Sequence, residues 1–307
     1  MSNYKIINSF NIKQVLVLLL APALMFSCAE DPAKSNKLQD EKQDNQEVVK
    51  EKNSKLLEIS GKVFSIPSPI QTAFLLKEVG TSYQADILNP TANASKYATK
   101  SAKALNLGIY GADLGYATIF DNTEDAISYV AITKKISGEL GITNLFNAKM
   151  MQRFEANIGN QDSLLAMVSD AFKSADQYLK NSKQDDIGVL ILAGGWIETL
   201  HFASTLAKST KSEALKNRIG EQKITIKNLI NLLLPYQDKE EVASLINQLN
   251  ELKDIYSGIN YEYTYVEPET NPNTKTTIIK SKSTVVMTEA QLKTISDKIS
   301  EIRSSII

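Results

Sequence analysis

QDDIGVLILAGGWIETLHFASTLAKS, residues 184–209, decides how this chain is read. Its apolar residues recur at three and four spacing, the period of an α-helix. Ile187, Ile191, Gly194, Glu198 and His201 fall on one stripe, and Trp196 and Leu200 fall on another. Apolar residues ring nearly the whole circumference, as in a helix central to a core. The stretch also holds the only Trp and the only His of the 307-residue chain.

Outward from it, the same period predicts helices at roughly 69–80, 91–121, 123–139, 147–158, 161–181, 212–234, 238–258 and 289–306. Asn122 and Asp162-Ser163 offer capping oxygens, and Thr288-Glu-Ala-Gln291 fits a capping box. Short connections imply antiparallel neighbours. A short extended piece is expected near EISGKVFSIPSP, residues 58–69. One segment breaks the helical period. NYEYTYVEPETNPNTKTTIIKSKSTVVMT, residues 260–288, is rich in Tyr, Thr, Val and Ile around an Asn271-Pro272-Asn273 turn, and reads as a β-hairpin. The fold expected is mainly α, an antiparallel multi-helix bundle with a β-hairpin insertion near the C-terminus. Alternation places Tyr261, Tyr263 and Tyr265 on one face of the first strand. Those rings either lie on the bundle and cover it or form an exposed aromatic surface for a protein or glycan partner.

The N-terminus reads as an address. Lys5 and Lys13 precede VLVLLLAPALMF, residues 15–26, an apolar run too short for a bilayer of about 30 Å. Ser27-Cys28 follows, and Cys28 is the only cysteine. This resembles a bacterial lipobox: a signal peptide at 1–27, then Cys28 as a lipidated, palmitate-bearing first residue that anchors the chain in a membrane. Ala29-Glu30-Asp31 resembles the surface-export signal of Bacteroidota lipoproteins, which slightly favours the outer face of the outer membrane over the periplasm. Residues 28–57 are mostly polar and charged, too poor in apolar groups to fold, and read as a tether to a helical domain at 58–307.

Composition narrows the function classes. With 34 basic and 35 acidic side chains there is no basic stripe for nucleic acid. Arginine occurs only at 153, 218 and 303, too few for bidentate phosphate clamps to be the machinery expected here. No phosphate-binding glycine loop appears. One Cys and one His preclude an intrachain disulfide and any site that needs two histidines. No cofactor is expected.

Candidate site residues cluster in two glycine-bearing helices. Glu198-Thr-Leu-His201 spells the E-x-x-H of carboxylate-bridged metal bundles, but a second such motif cannot exist in this chain. The pair reads as a core ion pair, a polar point in a ligand pocket, or a catalytic or metal site. Gly194 and Gly195 each cost about 1 kcal/mol in a helix interior, so something must approach closely. The partner expected is LNLGIYGADLGYATIF, residues 105–120, with Gly108, Gly111 and Gly115 in a groove. The glycines serve either tight packing or a cavity walled by Asp113, Tyr110, Trp196 and Glu198. Arg153 either pairs with Asp113 or Glu198 inside or lies on the surface.

The run from VFSIPSP through NLGIYGADLGYATIFDN to LAGGWIETLHFA resembles a group of Bacteroidota lipoproteins with no assigned activity, over roughly residues 60–260. The resemblance implies an exported, helical, lipid-anchored protein. The expectation is a binding or scaffold module of the envelope, more readily than an enzyme. The alternatives are a small-ligand binder between helices 91–121 and 184–209, or an enzyme using Glu198 and His201.

Overall fold

The computed structural model describes residues 56–307, except 60–61, 66–68, 143–147 and, within 158–183, all but a few positions. The signal, Cys28, the tether apart from Leu56 and Leu57, and most of the helix expected at 161–181 lie outside the described residues.

The chain is mainly α. β1 (Leu56–Ile59) and β2 (Lys62–Ser65) pair antiparallel. The helices are α1 (Pro69–Glu78), α2 (Lys100–Ile119), α3 (Thr123–Glu139), α4 (Ala148–Ala156), α5 (Asp185–Thr210), α6 (Glu213–Gly220), α7 (Gln222–Leu233), α8 (Glu240–Ser257) and α9 (Glu289–Ser304). Between α8 and α9 stand β3 (Asn260–Thr264), β4 (Glu269–Asn271), β5 (Thr276–Ile278) and β6 (Lys282–Val286).

α5 is the centre, as its all-round apolar surface requires, and its most extensive contact is with α2. Neighbouring α1, α6, α7 and α9 also pack on it. α2 and α5 approach to backbone contact at two glycines. A Cβ on Gly108 would lie 1.9 Å from the Ile191 carbonyl oxygen, and one on Gly194 would lie 1.9 Å from that of Leu105. This contact offsets the conformational cost of glycine in a helix. Two expected caps form: Asn122 accepts from the Asp125 N–H, and Thr288 and Gln291 make the reciprocal capping box, while Asp162 lies outside the described residues.

Two expected helices are broken. The helix expected from 91 starts only at Lys100, where Thr99 caps it. Residues 91–95 are a 3₁₀ turn after Pro90, and the segment 81–99 crosses the bundle as an irregular strap. Turn chemistry in LNPTANASKYAT outweighs the apolar period there. The helix expected at 212–234 divides at Glu221. Gly220, at the break, admits Val285: a Cβ there would meet the Val285 Cγ1 at 2.2 Å.

The expected hairpin forms, with β3 paired to β6 and β4 to β5 as one two-stranded arm. Tyr261 reaches the body, its hydroxyl donating to the Gly220 carbonyl at 2.9 Å. Tyr263 and Tyr265 do not: each is 67% exposed, so a covering role holds for Tyr261 alone.

Candidate functional site

The strap explains what the core polar residues do. Its middle, Ile87 to Asn89, is buried and leads into Pro90 with no α-helix or strand ladder to satisfy it, and buried carbonyl and N–H groups must find partners. Side chains from the surrounding helices supply them. Tyr110 on α2 donates to the Pro90 carbonyl at 2.9 Å, and Tyr129 on α3 donates to that of Asn89 at 3.2 Å. The Asn89 N–H donates to Asp113 Oδ2 at 3.4 Å. Asn89 Nδ2 donates to the Tyr97 hydroxyl at 3.0 Å and to Asn106 Oδ1 at 3.3 Å. Asn106 in turn donates to the Ile306 carbonyl at 3.0 Å, which ties the C-terminus in.

Arg303, on the last turn of α9, is the keystone. Its Nε and Nη2 donate to Glu198 Oε2 and Oε1 at 2.5 and 2.7 Å, and Nη2 also donates to the Ile87 carbonyl at 3.1 Å. One guanidinium thus grips α5 and the strap together, a planar fork suited to a buried carboxylate. Glu198 and Asp113 are both fully buried.

Two carboxyls and one guanidinium leave one acid in excess. Burial, then the charge of Glu198, push the Asp113 carboxyl well above its usual range. Burial raises Glu198 too, and the bidentate Arg303 opposes that rise. The balanced state is a protonated Asp113 donating to an ionised Glu198 that is paired with Arg303, so no net charge is buried. Burial also raises the tyrosines that hold the strap, Tyr110 and Tyr129, which keeps them as donors.

His201, one turn along α5, lies against the Ile87 carbonyl, and burial followed by the Arg303 charge lowers it to about 3. Its Nδ1 has no partner among the described residues. A ring that stays neutral down to such acid is a weak general base at neutral pH. Glu198 bonds Arg303, so it is committed elsewhere than to orienting that ring.

The sequence candidates therefore separate. Asp113, Glu198, Tyr110 and His201 come together around the strap. Trp196 does not join them: its indole donates to Gln222 Oε1 at 3.0 Å and ties α5 to α7. Arg153 does not either. It is exposed on α4, 3.8 Å from Asp170, and the interior place considered for it belongs to Arg303. Between α2 and α5, where the cavity is expected, Gly108 and Gly194 bring the two helices into contact and leave no room at that point. No group of three or more potential metal-ligating side chains is gathered among the described residues.

Sequence reasoning missed Arg303, Asn89, Asn106, Tyr97 and Tyr129. Arg303 had a signal: it stands four residues after Ile299 on the apolar stripe that runs through Leu292 and Ile295. The strap contacts had none, since a turn segment carries no period. No protein-family profile, no curated protein and no solved structure matches this chain.

Proposed function

We propose that this chain is an exported, lipid-anchored protein of the cell envelope that works as a non-catalytic binding or scaffold module, with the arm of residues 260–286 as its contact surface. The arm carries the reading. All residues of β3, β4 and β5 are exposed, Tyr263 and Ile278 among them, and so are Tyr265, Val266 and Ile279 beside these strands. A lone two-stranded hairpin is marginally stable in water, so a long arm bare on both faces points to a partner that covers it.

The interior offers less to a ligand. Its polar cluster is charge-balanced and spends its donors on the strap. The N-terminal pattern ending at Cys28, the polar tether and the resemblance to Bacteroidota lipoproteins support anchoring in the outer membrane, with the surface face favoured by Ala29-Glu30-Asp31.

Cell fractionation with in-cell photocrosslinking tests the reading. A photoreactive residue at Tyr263 is expected to give a discrete product in the membrane fraction, with Cys28→Ser releasing the chain from that fraction. A chain that stays membrane-bound after Cys28→Ser sinks the anchor. A Tyr263 probe that gives no product sinks the arm as contact surface.

A further inference from the structure

The strap is held in a way that lets it lift without the bundle. Of residues 81–99 only Ile87, Leu88, Asn89, Ala94 and Tyr97 are buried, whereas neighbouring α2 is buried at every position from Ala104 to Ile119. Lifting the strap returns little apolar area to water, and parting α2 from α5 returns much. Segments of the first kind open locally, at a lower free energy than global unfolding. What closes the strap is polar. Tyr110, Tyr129 and Arg303 donate to its carbonyls, and Asp113 Oδ2 accepts the Asn89 N–H.

Asp113 is the member of this set whose chemistry can change. Its Oδ1 is buried, and no donor reaches it among the described residues. The neighbour it hydrogen-bonds is another carboxyl, Glu198 from α5. Two carboxylates cannot share such a bond, so one of them carries a proton. Arg303 from α9 forks onto both oxygens of Glu198, which leaves the proton to Asp113. The other ionisable groups around Asp113 are Tyr97 from the strap, Tyr110 on α2 and Tyr129 from α3, and burial keeps all three hydroxyls protonated. His201 stands one turn further along α5, against the Ile87 carbonyl.

We propose that the strap is a proton-locked gate: a proton on Asp113, shared with Glu198, holds residues 85–97 down, and its loss lets them lift while the helices stay packed. In the closed state an ionised Asp113 would be a second buried carboxylate beside Glu198, with one guanidinium for both. In the open state water reaches Asp113 and solvates its charge. Opening therefore releases the proton, and rising pH favours the open state. Lifting bares Asp113, Asn106, Tyr110 and Tyr129, a polar wall that the closed chain commits to its own backbone. The gate is independent of the arm, whose contact can fail without touching it.

Hydrogen exchange by mass spectrometry on the full chain, from about pH 4.5 to about pH 8.5 and corrected for intrinsic rates, tests the gate. Peptides covering 85–97 are expected to be at least about a hundred-fold less protected than peptides of α5, the mark of a local opening. Asp113→Asn keeps a donor for Glu198 and has no proton to lose. The ratio of strap protection in that variant to strap protection in wild type should climb by at least about ten-fold over this range, starting above about pH 4. The ratio cancels His201, which titrates in both chains. Should Asp113→Asn fail to fold, His201→Gln shows the same proton directly, with strap protection at least about ten-fold lower at the alkaline end than at the acid end. Strap and α5 exchanging at one common rate would mean that the strap opens only with global unfolding, which overturns the gate. A strap that opens locally, but with a ratio flat in pH or with no fall in His201→Gln, would mean that Asp113 holds no locking proton, which overturns it as well.

Discussion

The strap of residues 81–99 and the arm of residues 260–286 are both chain that leaves the helical period, yet the strap sinks Ile87, Leu88, Asn89, Ala94 and Tyr97 into the bundle while the arm beyond its root is bare to solvent. The strap has no ladder of its own, so its carbonyls draw in Tyr110, Tyr129 and Arg303, and those bring Glu198 and Asp113 with them. The arm satisfies its own backbone by pairing β3 with β6 and β4 with β5, and needs nothing from the body beyond its root. The difference teaches how to read polar residues here. Inside, they follow from backbone that must be satisfied. Outside, the informative residues are the apolar ones, which nothing in the described chain needs.

Removing Arg303 should break the inside half of that contrast most severely. Arg303→Met leaves the Glu198 carboxylate buried without its fork and the Ile87 carbonyl without a donor. A loss of about 3–5 kcal/mol is expected in urea unfolding, the range for stripping one partner from a buried pair. Replacing both partners, Glu198→Leu with Arg303→Met, should recover much of it. If the single and double variants were equally unstable, the ion pair would not be what seats α9. Next in size is Gly194→Ala. Its Cβ would meet backbone rather than a movable side chain, so α2 and α5 must part, at about 1–3 kcal/mol. A variant as stable as wild type would mean the two helices part freely.

The cluster also predicts a stability profile with two opposed limbs. Asp113 is raised in the fold, so the folded chain holds its proton more tightly than the unfolded chain does. Its contribution is complete in acid, below about pH 4, and declines as pH rises towards the folded value. Asp113→Asn keeps a donor for Glu198 and loses the titration, so its stability relative to wild type should climb with pH. His201 runs the other way. Lowered from 6.5 to about 3, it contributes fully above pH 6.5 and its share is lost as the pH falls towards 3. His201→Gln should flatten the acid limb only. Chemical denaturation across this range, on wild type and both variants, checks each sign.

Much of the bundle was legible because α-helices announce themselves by period and cap. α3 and the capping box of α9 follow directly from Asn122 and Thr288. The hairpin was legible from its β-branched and aromatic run. The strap was not, since Asn89 and Tyr97 matter through contacts with α2 and α3 that no local pattern encodes. The site was half legible. Glu198, Asp113, Tyr110 and His201 stand out as polar or aromatic residues on apolar helices. Their true partner, Arg303, lies 105 residues beyond Glu198, and only the stripe of α9 hints at it. The one-residue register step between the two ladders, from Thr264 opposite Lys282 to Glu269 opposite Ile278, was hidden as well, because simple alternation assumes one unbroken register.

The smallest expected effects lie on the arm, and there the boundary between rooted and free chain can be drawn residue by residue. Tyr261→Phe removes the hydroxyl that holds Gly220 and should cost about 1 kcal/mol, a typical value for one hydrogen bond. Two residues on, Tyr263→Ser removes a ring that is 67% exposed, and should change stability by less than about 0.5 kcal/mol. Ile279→Ser, at 72% exposure, should behave the same way. Thermal melts of dilute protein read all three. A large loss at Tyr263 or Ile279 would mean that the distal arm is packed in the single chain, which would remove the reason to seek a partner for it.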